Sequence, residues 1–479
     1  MDMSAFASGL KPLAPEIVLL AAAAAAMFVH LFGGRKGPRK AGWVSLAGMA
    51  AAGAALLWAP LSGGEIYAGS LNVDPFAVFI KLVVLLAGAL TILLSFRFFG
   101  VERYEPGEIY ILMPLAMIGM MVSASTVDLI STYVAFELFA IISYILAGLF
   151  KKERRSSEAG IKYFFLGTLS SGLMLLGMAL VFGLTGETNY GAIARGLATA
   201  DSHFALAGMI LFFSGLFFKA AMVPFHMWAP DVYEGAPTPM TAFLSTAPKA
   251  AVFAVLIRVM VVIFAGYTVQ WSAILFYLAL LTMFWGNLAA LTQKNLKRMM
   301  AYSSIAHSGY IVIGLAAWGE RARAAVLFYL FVYVFMNAAA FGLVLIVRRG
   351  QGFGEDVDSL RGLARKAPFT AAAIVIILLS LAGIPPTAGF MGKYFLFLAA
   401  VDKGMIVLAL AGALNSVISL FYYFRIGRAM FMEDPSAETT LESSWPVGVV
   451  LAVSALVCFV LGILPALLSN FAAASVLGL

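Results

Sequence analysis

The sequence predicts an all-α polytopic membrane protein of about fourteen transmembrane helices. Three observations carry that reading. The chain has too few charges to clothe a water-soluble globule, its apolar runs match a bilayer in length, and the basic residues between those runs crowd into alternate loops. Of 479 residues, 62% are hydrophobic and 11% are charged, against about a quarter charged in a soluble domain. The mean hydropathy is +0.97. Runs of 18 or more apolar residues are what a hydrocarbon core of ~30 Å requires, and within lipid they must be helical, because backbone groups have no other partners there.

The first run, Ala14 to Phe32, has only Lys11 as a basic residue ahead of it, and further runs follow at once. It therefore reads as a retained helix and not a secretory signal. In order, the runs lie at about 13–33, 41–61, 74–98, 109–123, 127–150, 158–184, 204–225, 239–265, 271–292, 296–317, 324–348, 367–400, 403–431 and 446–471. Loops after odd-numbered runs hold 20 Lys and Arg: Arg35, Lys36, Arg39, Lys40, Arg97, Arg103, Lys151, Lys152, Arg154, Arg155, Lys294, Lys297, Arg298, Arg348, Arg349, Arg361, Arg365, Lys366, Arg425 and Arg428. The other side, termini included, holds 5: Lys11, Arg195, Arg321, Arg323 and Lys403. By the positive-inside rule both termini face away from the cytoplasm. The same asymmetry accounts for the net charge of +7 without a nucleic-acid partner.

Runs four to eight and nine to thirteen predict two five-helix units. An odd number of helices per unit makes the second run inverted relative to the first. Run seven is interrupted at Pro224, with Pro230 beyond it, and run twelve at Pro385 and Pro386. Interruptions at matching positions of two halves point to a transport site. The expected organisation is three N-terminal helices over 1–108, a first unit over 109–265, an inverted second unit over 266–432 and a final helix over 433–479.

Six basic residues remain inside runs: Lys81, Lys162, Lys219, Lys249, Arg258 and Lys393, with Glu137 as the clearest buried acid. Glu137 is ten residues in from Val127, ~15 Å at 1.5 Å per residue and hence near the bilayer centre. It shares a helical face with Tyr133 and Tyr144. A structural glutamate paired with a lysine is the plain alternative, but intramembrane acids are costly and usually functional. Lys249 ends a polar stripe of Thr238, Thr241 and Ser245, ~13 Å deep, beyond easy snorkelling. Lys219 precedes the Pro224 interruption by five residues, where freed carbonyls admit water. Desolvation there disfavours the charged lysine and a nearby acid favours it, so a conformational change can toggle its proton. Lys393 follows the Pro385 and Pro386 interruption, and the same argument applies to it.

Lys162 is only ~6 Å in and is a secondary candidate, since it can snorkel. Lys81 and Arg258 lie nearer the opposite edge and read as snorkelling anchors. His307, on one face with Ser303 and Tyr310, is a second secondary candidate, because an imidazole exchanges protons near neutrality; a neutral, satisfied histidine is the alternative. His226 reads as a loop-shaping residue. With one cysteine, Cys458, and four histidines, an internal disulfide, an iron–sulfur cluster or a zinc site is poorly supported. No cofactor of the chain's own is expected.

These residues also carry a resemblance. Val134-Ala-Phe-Glu-Leu138, Gly160-Ile-Lys-Tyr-Phe-Phe-Leu-Gly167, Phe218-Lys-Ala-Ala-Met-Val-Pro-Phe-His-Met-Trp228 and Asp231-Val-Tyr-Glu-Gly-Ala-Pro-Thr-Pro239 resemble the antiporter-like membrane subunits of respiratory complex I. So do Ala301-Tyr-Ser-Ser-Ile-Ala-His307 and Gly383-Ile-Pro-Pro-Thr-Ala-Gly-Phe-Met-Gly-Lys393. The match covers nearly the whole chain. It implies a proton-translocating subunit of a bacterial NADH:quinone oxidoreductase, in the inner membrane, with the redox centres on other subunits. Neighbouring antiporter-like and small membrane subunits, the lipid bilayer and protons are the implied partners. The resemblance also implies that Glu137 and Lys219 form a charge-coupled pair, that Lys249 connects the units, and that Lys393 is the exit-side lysine. Protons then move from the cytoplasmic side toward Lys219, past Lys249, and out by Lys393. The rival readings are a cation/proton antiporter or hydrogenase-linked subunit, and a non-conducting scaffold that only transmits conformational change.

Overall fold

The computed structural model describes residues 10–62, 64–102, 106–350, 352–435, 439–442 and 444–477. Arg103, counted among the loop charges above, lies outside them. Twelve of the described helices are long and apolar enough to cross a membrane. With two shorter candidates, one unbroken and one broken, the helices in order are α1 (Ala14–Phe32), α2 (Gly37–Trp58), α3 (Pro75–Glu102), α4 (Ile109–Ser123), α5 (Leu129–Ala147), α6 (Arg154–Thr185) and a broken α7 (Ser202–Lys219, then Trp228–Gly235). They continue as α8 (Thr238–Val262), α9 (Thr268–Leu291), α10 (Leu296–Ala317), α11 (Glu320–Val344), a broken α12 (Pro368–Ala382, then Ala388–Asp402), α13 (Ile406–Met432) and α14 (Trp445–Ile463). The last apolar run is not one helix over 446–471. Pro465, which has no N–H to continue the ladder, ends α14 two residues earlier, and a short helix Ala466–Ser475 follows.

Burial divides the spans. The most apolar window of α8 is 89% buried, that of α10 94% and that of α11 89%, whereas α1, α2, α6, α9 and α13 are 33–39% buried. The three central helices therefore meet protein on every side, and the peripheral ones present Phe, Leu and Ile outward.

The inverted repeat is written in the backbone. In the first unit Leu129 N–H donates to Thr188 O (2.9 Å) and Tyr190 N–H to Val127 O (2.8 Å). In the second, Leu296 N–H donates to Glu355 O (2.6 Å) and Val357 N–H to Lys294 O (3.1 Å). The residue before each helix, Asp128 or Asn295, caps it by accepting from the N–H three residues on, which satisfies a donor the helix leaves free. These four positions keep one spacing across the units, so α5 corresponds to α10 and the chain returns from α6 and α11 to the same place.

Both interruptions re-satisfy the groups they free. At α7, Trp228 Nε1 donates to Phe218 O (2.8 Å) and Val223 N–H to Thr282 Oγ1 (3.1 Å). At α12, Gly389 N–H donates to Ser380 Oγ (3.0 Å). Gly383 closes the first half of α12 with φ +83°, a left-handed conformation that favours glycine. Outside the spans, strands Val347–Arg349, Gly352–Phe353 and Thr439–Leu441 pair antiparallel at the basic end of the molecule, with Val347–Arg349 central.

Candidate functional site

Lys219 is the last residue of the first half of α7 and is 2% exposed. Its ammonium donates to the Tyr144 hydroxyl (2.8 Å) and lies 4.2 Å from the Tyr144 ring centroid and 4.9 Å from that of Tyr163, where ring faces attract a cation. Tyr144 reaches the lysine because Gly167 of α6 leaves the space: a Cβ there would overlap the Tyr144 hydroxyl. Glu137, half-buried two turns earlier on α5, accepts a short hydrogen bond from Ser171 Oγ, and Ser171 lies beside the same Tyr144 hydroxyl. Carboxylate and ammonium thus meet through Ser171 and Tyr144 and not as a contact pair.

Lys249 is 1% exposed on α8. It donates to Ser304 O (2.7 Å), Ser304 Oγ (2.6 Å) and Ser308 Oγ (2.9 Å). Those three acceptors use all three ammonium protons, and none is charged. Ser308 Oγ in turn donates to Ala220 O (2.7 Å), the residue after Lys219. The second unit's α10 therefore holds the first unit's Lys249 and touches the α7 break.

From Lys249 the chain of polar groups continues into the second unit. Tyr333 donates to Ser304 Oγ (2.8 Å). His307, 1% exposed, sits between two hydroxyls, with Nδ1 2.6 Å from Tyr329 and Nε2 3.2 Å from Tyr423. Which nitrogen carries the proton follows from how those hydroxyls turn. Lys393, on the second half of α12, reaches back to Leu381 O and Ala382 O (3.0 Å each) and lies 4.3 Å from the Tyr310 ring centroid. Those carbonyls end the first half of α12, where backbone acceptors are unpaired and the helix dipole is negative. Gly383 again makes room, since a Cβ there would crowd the Lys393 side chain.

Lys162 lies apart. Its side chain is 40% exposed at the basic end and pairs with Glu158 (2.8 Å) and Asp231 (2.7 Å); Asp231 also holds Arg298 of α10 (2.7 Å). His226 is buried edge-on to Trp285. Lys81 and Arg258 are corrections: neither snorkels. Lys81 is 0% exposed and paired with Glu16 of α1 at 2.7 Å. Arg258 is 3% exposed and forks onto Asp74 at 2.8 and 3.0 Å. Position along the helix placed both near an edge, but the acids that hold them inward come from distant segments.

Ser304, Ser308, Tyr329, Tyr333 and Tyr423 surround Lys249 and His307, and position and composition alone did not single them out. Ser304 and Ser308 share the i, i+4 face of α10 with each other and sit either side of His307, which was the signal available.

Residues 126–419 match the family model described as NADH:quinone oxidoreductase/Mrp antiporter, TM. The NADH-quinone oxidoreductase subunit N of Trichlorobacter lovleyi is 42% identical over 473 residues, 97% of this chain and 96% of the relative. That of Paramagnetospirillum magneticum is 38% identical over 97% of both. Among solved structures, a chain of respiratory complex I from Thermus thermophilus is 34% identical with a TM-score of 0.81, over 96% of this chain and 99% of that one. A chain of the Mrp complex from Dietzia is 22% identical with a TM-score of 0.84, over 98% and 97%, a likeness of fold alone.

Proposed function

Because the chain belongs to the NADH:quinone oxidoreductase/Mrp antiporter family of membrane subunits, and within it to the subunit N group, we propose that it translocates protons for an NADH:quinone oxidoreductase. The observation that carries the reading is the linked series of buried ammoniums. Lys219, Lys249 and Lys393 sit in the two breaks or on the helix between them; Ser304 and Ser308 hold Lys249, Ser308 also reaches Ala220 O beside Lys219, and the rings of Tyr333, His307 and Tyr310 lie in contact between Ser304 and Lys393.

An ammonium deep in a membrane costs several kcal/mol unless it is compensated. At Lys249 the compensation is wholly neutral, so the site tolerates both the charged and the neutral lysine. At Lys219 the nearest carboxylate, Glu137, is connected to the ammonium through Ser171 and Tyr144. A change that separates them releases the Lys219 proton toward Ser308 and Lys249. Charge on Lys249 then repels charge on His307 and Lys393, and the proton at Lys393 leaves from the second unit.

The basic end is taken as cytoplasmic and both termini as periplasmic, in the inner membrane of a bacterium. The units over 109–265 and 266–432 act as the two halves of the path, with 1–108 and 433–479 bracing them. The exposed α5 face of Ile130, Val134, Leu138, Ile141 and Ile145 meets lipid or a neighbouring membrane subunit. Redox chemistry belongs to other subunits of the complex.

The test is NADH-driven acidification of inverted membrane vesicles. Lys219→Ala and Glu137→Ala are expected to cripple it while the complex still assembles, as judged by NADH:ferricyanide activity of the purified complex. Full pumping in both variants defeats the proposal.

A further inference from the structure

The last helix of each unit carries an arginine that the path does not use. Arg258 is the 21st residue of α8 and Arg425 the 20th of α13. Each reaches back to the C-terminal end of the first helix of its own unit. Arg258 Nη2 donates to Ala124 O (3.0 Å), the residue that follows α4. Arg425 Nη1 donates to Leu291 O (3.2 Å), the last residue of α9, and its Nη2 makes a short hydrogen bond to Gln293 O. Since α4 corresponds to α9 and α8 to α13, the two arginines are the same device in inverted copies. Inversion puts Arg258 at the end away from the basic loops and Arg425 at the basic end.

Each stands beside a cluster of polar side chains at its end of the unit. In the first unit, Thr132 lies five residues from Glu137 on α5. Its Oγ1 meets the Tyr190 hydroxyl (2.5 Å) and Thr126 Oγ1 (2.9 Å), next to the helix end that Arg258 holds. In the second unit, Asn287 joins the Tyr310 hydroxyl (3.2 Å), Asn415 (3.0 Å) and the Tyr422 hydroxyl (3.1 Å). Tyr422 is three residues, about one turn, from Arg425. Hydroxyls and amides hand protons on. A guanidinium in a protein does not give its proton up; at Arg425, held by carbonyls, its charge also repels an approaching proton, whereas at Arg258 the Asp74 carboxylate offsets the charge and the missing proton release is what blocks.

We propose that Arg258 and Arg425 are a matched pair of stoppers, one at the blind end of each unit, so that a proton admitted at the basic end of the first unit leaves only by crossing to the second. The inference rests on the proton-translocation reading and adds to it the residues that forbid the short circuit. Asp74 holds Arg258 in place with two hydrogen bonds, and the α9 carbonyls hold Arg425.

The test is passive: the intact complex in liposomes, no NADH, an imposed pH gradient and its decay. Arg425→Gln keeps a donor for the α9 carbonyls and removes the charge. It is expected to speed the decay several-fold over the unaltered complex, and the double variant Arg425→Gln with Lys393→Ala is expected to restore tightness, because that leak runs through Lys393. Arg258→Gln is expected to leak likewise, with tightness restored by Lys219→Ala. Should a glutamine variant fail to assemble, Arg425→Lys serves in its place: an ammonium releases its proton, so a leak is again expected. Gradients as long-lived as in the unaltered complex overturn the proposal, and so does a leak that survives the second substitution, which marks general loosening. NADH-driven pumping by the same liposomes separates the two readings. A tight Arg425→Gln complex that still pumps sinks the stoppers alone, whereas undiminished pumping in Lys219→Ala sinks the translocation reading beneath them.

Discussion

The Lys219 ammonium has three protons to donate, and Tyr144 takes one of them at 2.8 Å. A hydrogen bond to a charged group is worth about 1.5–3 kcal/mol. Tyr144→Phe is therefore expected to slow proton pumping by roughly tenfold, measured as dye quenching in vesicles at matched NADH oxidase activity. Pumping at the unaltered rate would show that Tyr144 is only a wall of the site. Ser308→Ala removes the hydroxyl between Ala220 O and Lys249, and the same assay is expected to fall with it. At this scale the lysines were legible because a charge in an apolar run announces its own cost. Tyr329, Tyr333 and Tyr423 were not: in a chain with 17 tyrosines and 39 phenylalanines, a hydroxyl that faces His307 looks like any packing residue until the helices are placed. Lys81 and Arg258 were misread for the same reason, since only the fold brings Glu16 and Asp74 to them.

Helix breaks and close crossings were easier to foresee than helix ends. The prolines at 224, 385 and 386 located both interruptions, and the structure adds why each is tolerated: an indole, a threonine and a serine take up the freed backbone groups. The crossing of α5 and α6 depends on Gly167, and a side chain there must push Tyr144 off Lys219. Gly167→Leu is expected to cost about 1–3 kcal/mol in overpacking and to abolish pumping in complex that still assembles. Pumping intact in a stable Gly167→Leu complex would mean that Tyr144 has another way to reach the lysine. At the basic end, Arg97 of α3 donates to Glu442 beside the outer strand Thr439–Leu441, with Arg348 also in reach. The Arg97 hydrogen bond holds the Glu442 carboxyl below the ordinary carboxylate range, against a small opposing effect of burial. The tie is accordingly present at neutral pH and is lost as pH falls through that lowered value. Hydrogen exchange in Thr439–Leu441, corrected for intrinsic rate, is expected to rise on acidification, and Glu442→Gln is expected to show the faster exchange already at pH 7. This strap joins segments 345 residues apart, and no local pattern announced it.

Across the whole molecule, the all-helical membrane architecture and the two broken helices were legible from run length and the paired prolines. What the sequence left hidden is how the units share residues. Ser304 and Ser308 of the second unit hold Lys249 of the first, so this buried ammonium sits at the boundary and depends on both units. The N-terminal helices are fastened by a different device, the fully buried Lys81–Glu16 pair between α3 and α1. Removing one partner of such a pair typically costs about 3–5 kcal/mol, whereas replacing both with apolar residues is often neutral. Glu16→Gln is expected to lower the thermal stability of the purified complex, and Glu16→Leu with Lys81→Met to recover most of the loss. A double variant no better than the single would place the stabilisation in packing instead of in the pair.

Lys249 is the central residue of the proposed path, a buried ammonium held across the boundary between the units. The proton-to-electron ratio of the reconstituted complex carrying Lys249→Met tests it most directly. A fall in that ratio, with the complex assembled and membranes tight, is the predicted result. A ratio equal to that of the unaltered complex would contradict a path through this residue.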